Sequence, residues 1–198
     1  MDNYKRIDEV RSEWFKNHGA FYEKLSDHTS VLTFKQPKTS RYAIRYILDN
    51  NYLIITGDIG EAIFCLTEEA DLKKLFDYDM DYLFGKLRTG NSAYDFDADK
   101  ALSELKNHFY KYTFKTAKEE IEFDELTDQI FAFVKDECNS LGQWRDKVLM
   151  EYFDTISKYD QDCYEWLFDI GKEYSWQAIG WIVGLKMAYQ ILKKEQVI

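Results

Sequence analysis

Two loops in this sequence bring carboxylates together by spacing alone. Gly57-Asp58-Ile59-Gly60-Glu61 puts two acids on a turn that its glycines let close tightly. Paired carboxylates can hold a divalent ion, so a small metal-dependent hydrolase is the enzyme that such a turn would serve. A phosphate cradle fits less well, because it needs backbone N–H groups without acids beside them. The structural alternative is a turn in which Asp58 bonds its own loop amides. Asp95-Phe96-Asp97-Ala98-Asp99 opens like a calcium loop, with acids at positions one, three and five. Lys100 then stands where glycine is required, and Lys106 where a bidentate glutamate is required. These acids read better as a helix cap and first turn, where the amide dipole favours negative charge.

Denser charge lies elsewhere. Asp77, Asp79 and Asp81 form one acidic run, and Glu119, Glu120, Glu122, Asp124, Glu125 and Asp128 form a second. Such a surface can imitate rows of phosphates and enter a groove built to capture nucleic acid. It can equally be a solvated helix face. Lys35, Lys38, Arg41 and Arg45 make a basic patch interleaved with Tyr42 and Tyr46. Aromatic rings beside arginines can stack bases, and charge on an edge strand also protects it from aggregation. His18, His28 and His108 sit in separate segments, none three or four residues from another His or a Cys, so no local metal signature forms. No base accompanies Cys65, and no nucleophile elbow, Walker loop or zincin motif is present. No cofactor is expected.

Hydropathy periods predict the elements that carry these residues. Ile7, Val10, Trp14 and Phe15 recur at helical spacing over Tyr4 to Lys16. From about 21 to 66 the period becomes two. Val31, Thr33 and Lys35 alternate with Leu32 and Phe34; Tyr42, Ile44, Tyr46 and Leu48 then share a strand face opposite Arg41 and Arg45. Asp49-Asn50-Asn51 predicts a hairpin turn. Tyr52 to Thr56 and Ala62 to Leu66 add strands, which makes an antiparallel meander of three to five strands. After Thr67 the spacing is helical. Leu72 to Leu87 form one run, broken at Gly90-Asn91-Ser92. Asp97 caps the next helix, Ser140 and Gln143 form a capping box, and Asp162 with Glu165 resembles another. Ile179, Ile182, Leu185, Tyr189 and Leu192 mark a last helix that serves equally as core or as a dimer seam.

The expected architecture is α+β: an antiparallel β-meander covered by an N-terminal helix and a C-terminal helical region. No Gly/Ser-rich or Pro-rich linker separates sheet from helices, so residues 1–198 are expected to form one domain, residues 1–70 as helix plus sheet and 71–198 as the helical region. Of the net charge of −10, residues 71–140 carry −6 (10 basic, 16 acidic) and each flanking third −2. That acidity disfavours an ordinary basic nucleic-acid binder. An aromatic content of 17% argues against disorder, and 3 cysteines cannot staple 198 residues. The first residues lack the basic and apolar regions of a secretory signal, which makes a cytoplasmic address the expectation, with no membrane partner.

The segments Thr33 to Ser40, Tyr42 to Tyr46, Tyr52 to Phe64 and Tyr94 to Ala101 together resemble a widespread group of small acidic proteins encoded by phages and prophages of Gram-positive bacteria. The resemblance covers about the first 110 residues and carries over no catalytic residues. It implies an accessory, anti-defence role. The leading expectation is a non-catalytic inhibitor, acting in the bacterial host cytoplasm. It would bind a host defence effector, a CRISPR nuclease or similar nucleic-acid-handling protein, through the acidic runs. The alternatives are a nucleic-acid module using Lys35, Lys38, Arg41, Tyr42, Arg45 and Tyr46, and the hydrolase at Asp58 and Glu61.

Overall fold

The computed structural model describes residues 3–90 and 93–198. Asn91 and Ser92, part of the expected break after the first helical run, lie outside the described residues. The period-two stretch becomes a single antiparallel sheet. Its strands are β1 (Gly19–Lys24), β2 (Thr29–Lys35), β3 (Ile44–Asp49), β4 (Tyr52–Gly57), β5 (Ala62–Cys65) and β6 (Leu87–Gly90). Each pairs with its neighbour in sequence, so the fold is α+β with a β-meander. Asn50 closes the β3–β4 turn at φ +51°, as its side chain tolerates.

Alternation decides which face is core. Leu32, Phe34, Ile44, Tyr46, Leu48, Leu53, Ile55 and Phe64 all point the same way and are buried. Helix α8 (Trp176–Lys194) covers them, with Ile179, Trp181, Ile182, Leu185 and Leu192 buried. Each such side chain contributes roughly 1.5–3 kcal/mol by leaving water. Gly180 and Gly184 let α8 sit close: a Cβ on Gly184 would lie 2.6 Å from the Tyr46 hydroxyl. The alternatives of core and dimer seam for this helix resolve to core. The N-terminal helix α1 (Asn3–Glu9) runs on as a π-helical turn (Val10–Trp14) packed on α8.

The structure departs from the expected boundaries in three places. The helical run ends at Gly85, after α2 (Leu72–Asp77) and α3 (Met80–Gly85), and Leu87 belongs to β6, which extends the sheet beyond residue 66 to six strands rather than three to five. β3 begins at Ile44, because Tyr42 lies at φ +55°, outside strand geometry. Asp162 makes no side-chain cap and precedes only a 3₁₀ turn. The Ser140 and Asp97 caps form as expected.

The chain divides into two compact units, 1–93 with 175–198, and 94–174. The second is an insertion. Its ends pair as a two-stranded ribbon, β7 (Tyr94–Phe96) with β8 (Lys172–Tyr174), so Tyr94 and Tyr174 face each other. Between them lie α4 (Ala98–Phe109), α5 (Ala117–Asp136), α6 (Leu141–Lys147) and α7 (Phe153–Ile156). These helices close a core of their own around Leu105, Phe123, Ile130, Trp144, Val148 and Leu167, rather than all covering the sheet. Trp144 donates its indole N–H to the Leu167 carbonyl at 2.7 Å, which satisfies the one polar atom of a fully buried ring.

Candidate functional site

The acidic runs fall on different units. Asp77, Asp79 and Asp81 are exposed at the α2–α3 junction of the sheet unit. Asp79 is partly committed there, because its Oδ1 accepts the Tyr82 N–H at 2.7 Å and caps α3. The second run begins α5. Thr116 Oγ1 accepts the Glu119 N–H at 3.2 Å, and Glu119 Oε2 accepts the Lys115 N–H at 2.9 Å. This reciprocal pair starts the helix. Glu122 pairs with Lys118 at 3.6 Å. The remaining acids are exposed: Glu120, Asp124 and Asp128 recur every four residues along one ridge, with Glu125 beside it. Three carboxylates thus span about 12 Å of helix axis. Ile121, 59% exposed, stands among them.

The division into units sharpens the charge distribution. Residues 1–93 and 175–198 hold 16 basic and 16 acidic residues and are neutral. Residues 94–174 hold 10 basic and 20 acidic residues, so the whole net charge of −10 lies on the inserted unit.

The expected basic and aromatic patch is not one surface. Tyr46 is fully buried and donates its hydroxyl to the Trp181 carbonyl at 2.7 Å; burial pushes its phenol well up. It belongs to the core, and that corrects its assignment to a nucleic-acid surface. Lys35 and Arg45 lie on the outer face of the sheet, where Arg45 is opposite Thr33 and Thr56. Lys38 (φ +64°) and Arg41 lie in the loop before β3. Arg41 and Arg45 therefore do not share a strand face.

Tyr42 is the fixed point of that loop. Its ring stacks on Trp14 with centroids 4.7 Å apart and planes 4° apart, and Trp14 in turn stacks on Trp176 at 6.0 Å. Arg41 lies over the outer face of Tyr42 at 5.0 Å, and buried Arg6 lies over Trp176 at 4.6 Å. A bulky residue in the left-handed region costs about 1–3 kcal/mol and persists only where its surroundings hold it. Here the Tyr42 N–H donates to Asp58 Oδ2 at 2.7 Å and the Tyr42 carbonyl accepts from His18 Nε2 at 3.2 Å. Burial lowers the His18 pKa, and its Nδ1 has no partner among the described residues.

The Gly57–Glu61 turn supports the same loop. The Asp58 N–H donates to the Ala43 carbonyl at 2.9 Å. Gly57, at φ +144°, brings the backbone so close that a Cβ would lie 2.2 Å from that same oxygen. Asp58 therefore accepts from a neighbouring loop rather than from its own amides, and it holds the Tyr42 strain in place. The calcium-like segment behaves as its spacing indicates. Asp97 Oδ1 accepts the Lys100 N–H at 2.9 Å, which lowers its carboxyl pKa. Among the described residues no three His, Cys, Asp or Glu side chains are grouped to hold a metal. Cys138 and Cys163 are buried, which raises both thiols. No helix among the described residues is long and apolar enough to cross a membrane.

Sequence reasoning missed a cleft of about 640 Å³ in the sheet unit. It lies between the β1–β2 turn and the start of α2, and the His28–Glu69 pair spans it with Nδ1 2.8 Å from Oε1. These residues are 41 positions apart, so no local spacing signals them. The chain matches no family model, no curated protein and no solved structure.

Proposed function

We propose that the protein is a non-catalytic inhibitor that binds a host defence effector, a nuclease of the CRISPR type, with the inserted acidic unit occupying the effector's basic nucleic-acid channel. The observation that carries this reading is the charge division: a neutral sheet unit holds an insertion that bears the entire net charge of −10. A basic channel attracts such a surface over several ångströms, and salt weakens that attraction. The Glu120–Asp124–Asp128 ridge presents the charge on a rigid helix of 20 residues. The resemblance of about the first 110 residues to phage-encoded accessory proteins favours a host defence protein as the class of target.

The test is affinity capture from bacterial lysates that contain intact defence systems, with and without nuclease treatment. Wild-type protein is compared with a Glu120→Lys, Asp124→Lys, Asp128→Lys variant. One stoichiometric protein partner that survives nuclease, is released by salt and is lost with the variant is the expected result. Capture that is indifferent to both salt and charge reversal refutes it. Recovery of nucleic acid alone would instead favour the second reading, which the Arg41–Tyr42–Trp14 stack supports. Arg41 covers the outer face of Tyr42 at 5.0 Å, so a base would stack there by displacing the guanidinium.

A further inference from the structure

The cleft in the sheet unit falls within the ordinary range for small-molecule sites, about 300–1,000 Å³, with its volume of about 640 Å³. Its floor is apolar: Leu48 and Leu72 are buried, and Tyr189 is nine-tenths buried. Tyr22 lines one wall as a half-buried ring. Buried Ser30 lines the cleft as a hydroxyl on β2. The rim is polar, and its charges are unequal in what they have left to offer.

Each rim carboxylate already has a partner. Asp27 holds Lys24 at 3.2 Å, and Glu69 holds His28. Asp71 Oδ1 accepts the Lys73 and Lys74 backbone N–H groups at 2.9 and 3.1 Å. Lys74 is bonded to Glu68. The Lys73 ammonium has no carboxylate partner among the described residues. Lys24 has spare N–H groups, since an ammonium carries three donors. Ammonium groups from two separate elements, Lys24 of β1 and Lys73 of α2, with the His28 ring on the β1–β2 turn, therefore border this apolar lining.

We infer that this cleft binds a small organic phosphate with a planar body. The planar body rests on Leu48, Leu72 and Tyr189 beside the Tyr22 ring, and the phosphate meets Lys73, flanked by Lys24 and His28. A phosphate suits this rim better than a carboxylate. It offers three terminal oxygens to the Lys73 and Lys24 ammonium groups and the His28 ring, and bonds to the two ammonium groups are charge-assisted, about twice as strong as neutral ones.

Nucleoside monophosphates serve as probes. Adenosine monophosphate, uridine monophosphate, adenosine and inorganic phosphate are titrated calorimetrically into the full-length chain at low salt. The expected result is one-to-one saturation by at least one monophosphate, with adenosine and inorganic phosphate weaker by about tenfold or more. Lys73→Glu, an exposed change, weakens that binding by about tenfold or more. Ala70→Trp fills the cleft and abolishes binding, while circular dichroism confirms that the variant is folded. The inference is overturned if neither monophosphate saturates, if inorganic phosphate binds as tightly as they do, or if Lys73→Glu leaves the affinity unchanged. None of these results bears on the acidic unit, which is tested by protein capture.

Discussion

At the scale of single residues, two histidines show how burial and pairing set opposite signs on one side chain. His18 donates from Nε2 to a carbonyl, so its neutral ring leaves Nδ1 bare in an apolar setting beside Phe15 and Phe34. Protonation would add a buried N–H with nothing to bond, and the folded pKa lies below 6.5. The unfolded chain then binds the extra proton, so stability falls as pH drops below 6.5 toward the folded value. His28 is exposed, and its bond to Glu69, then the Glu69 charge, raises its pKa above 6.5. Its contribution is fully present below 6.5 and disappears as pH rises through the folded value. Urea midpoints measured from about pH 5 to about pH 8 test both signs. The stability advantage of wild type over His28→Asn should shrink toward alkaline pH, and its advantage over His18→Asn should shrink toward acid. Parallel profiles for either pair would show that the histidine concerned does not titrate as its contacts require.

At the scale of elements, the acids of α5 set stability against the proposed function. Glu120, Asp124 and Asp128 repel one another at spacings of four, and each such pair costs an isolated helix about 0.2–0.5 kcal/mol. Nothing in the packing of α5 requires them, because its buried side chains are Phe123, Ile130 and Val134. Asp124→Lys removes both repulsions and places a lysine four residues after a glutamate, the favoured order. The variant should gain about 0.5–1 kcal/mol of stability at low salt and lose most of that gain at high salt. Under the proposed function it should also bind a protein partner less well. Thermal unfolding and capture measured on the same preparation check the pair of opposite effects; a variant that is both less stable and equally bound would return α5 to a merely solvated face.

At the scale of the whole molecule, the insertion can be removed on paper without crossing either core. The Ser175 N–H donates to the Ala93 carbonyl at 3.0 Å, so the chain leaves and re-enters the sheet unit at adjacent positions. Within the insertion the ribbon brings Tyr94 opposite Tyr174. Replacing residues 94–174 with a short Gly/Ser link should leave a neutral sheet unit that unfolds cooperatively and retains its far-ultraviolet β signal. Under the proposed function, that protein should show no salt-sensitive partner capture. A collapsed or aggregated product would show that the sheet unit depends on the insertion for its fold.

Much of this was legible in the chain. The alternation from Val31 to Leu48 determined which side chains enter the sheet core, because a strand offers its faces in strict turn. The Asn50 turn, the Asp97 and Ser140 caps and the α8 stripe were equally local, since each depends on residues within one turn of its neighbours. Leu87 stands three residues after Phe84, so its spacing alone continues the helical run, although the helix ends at Gly85. Local alternation puts Tyr42 in a strand, but its left-handed backbone is held by His18 and Asp58, each at least 16 residues away in sequence. Tyr46 looked like a surface ring until α8 covered it, since a tyrosine fits either place and only the 135-residue contact to Trp181 decides. Local spacing could not show the His28–Glu69 cleft for the same reason. Read in thirds along the chain, the acidity is spread over every part; the fold gathers all of it onto one unit. Charge composition belongs to the sequence, but the surface that carries it is set by which segments share a core, and that depends on contacts between residues far apart in the chain.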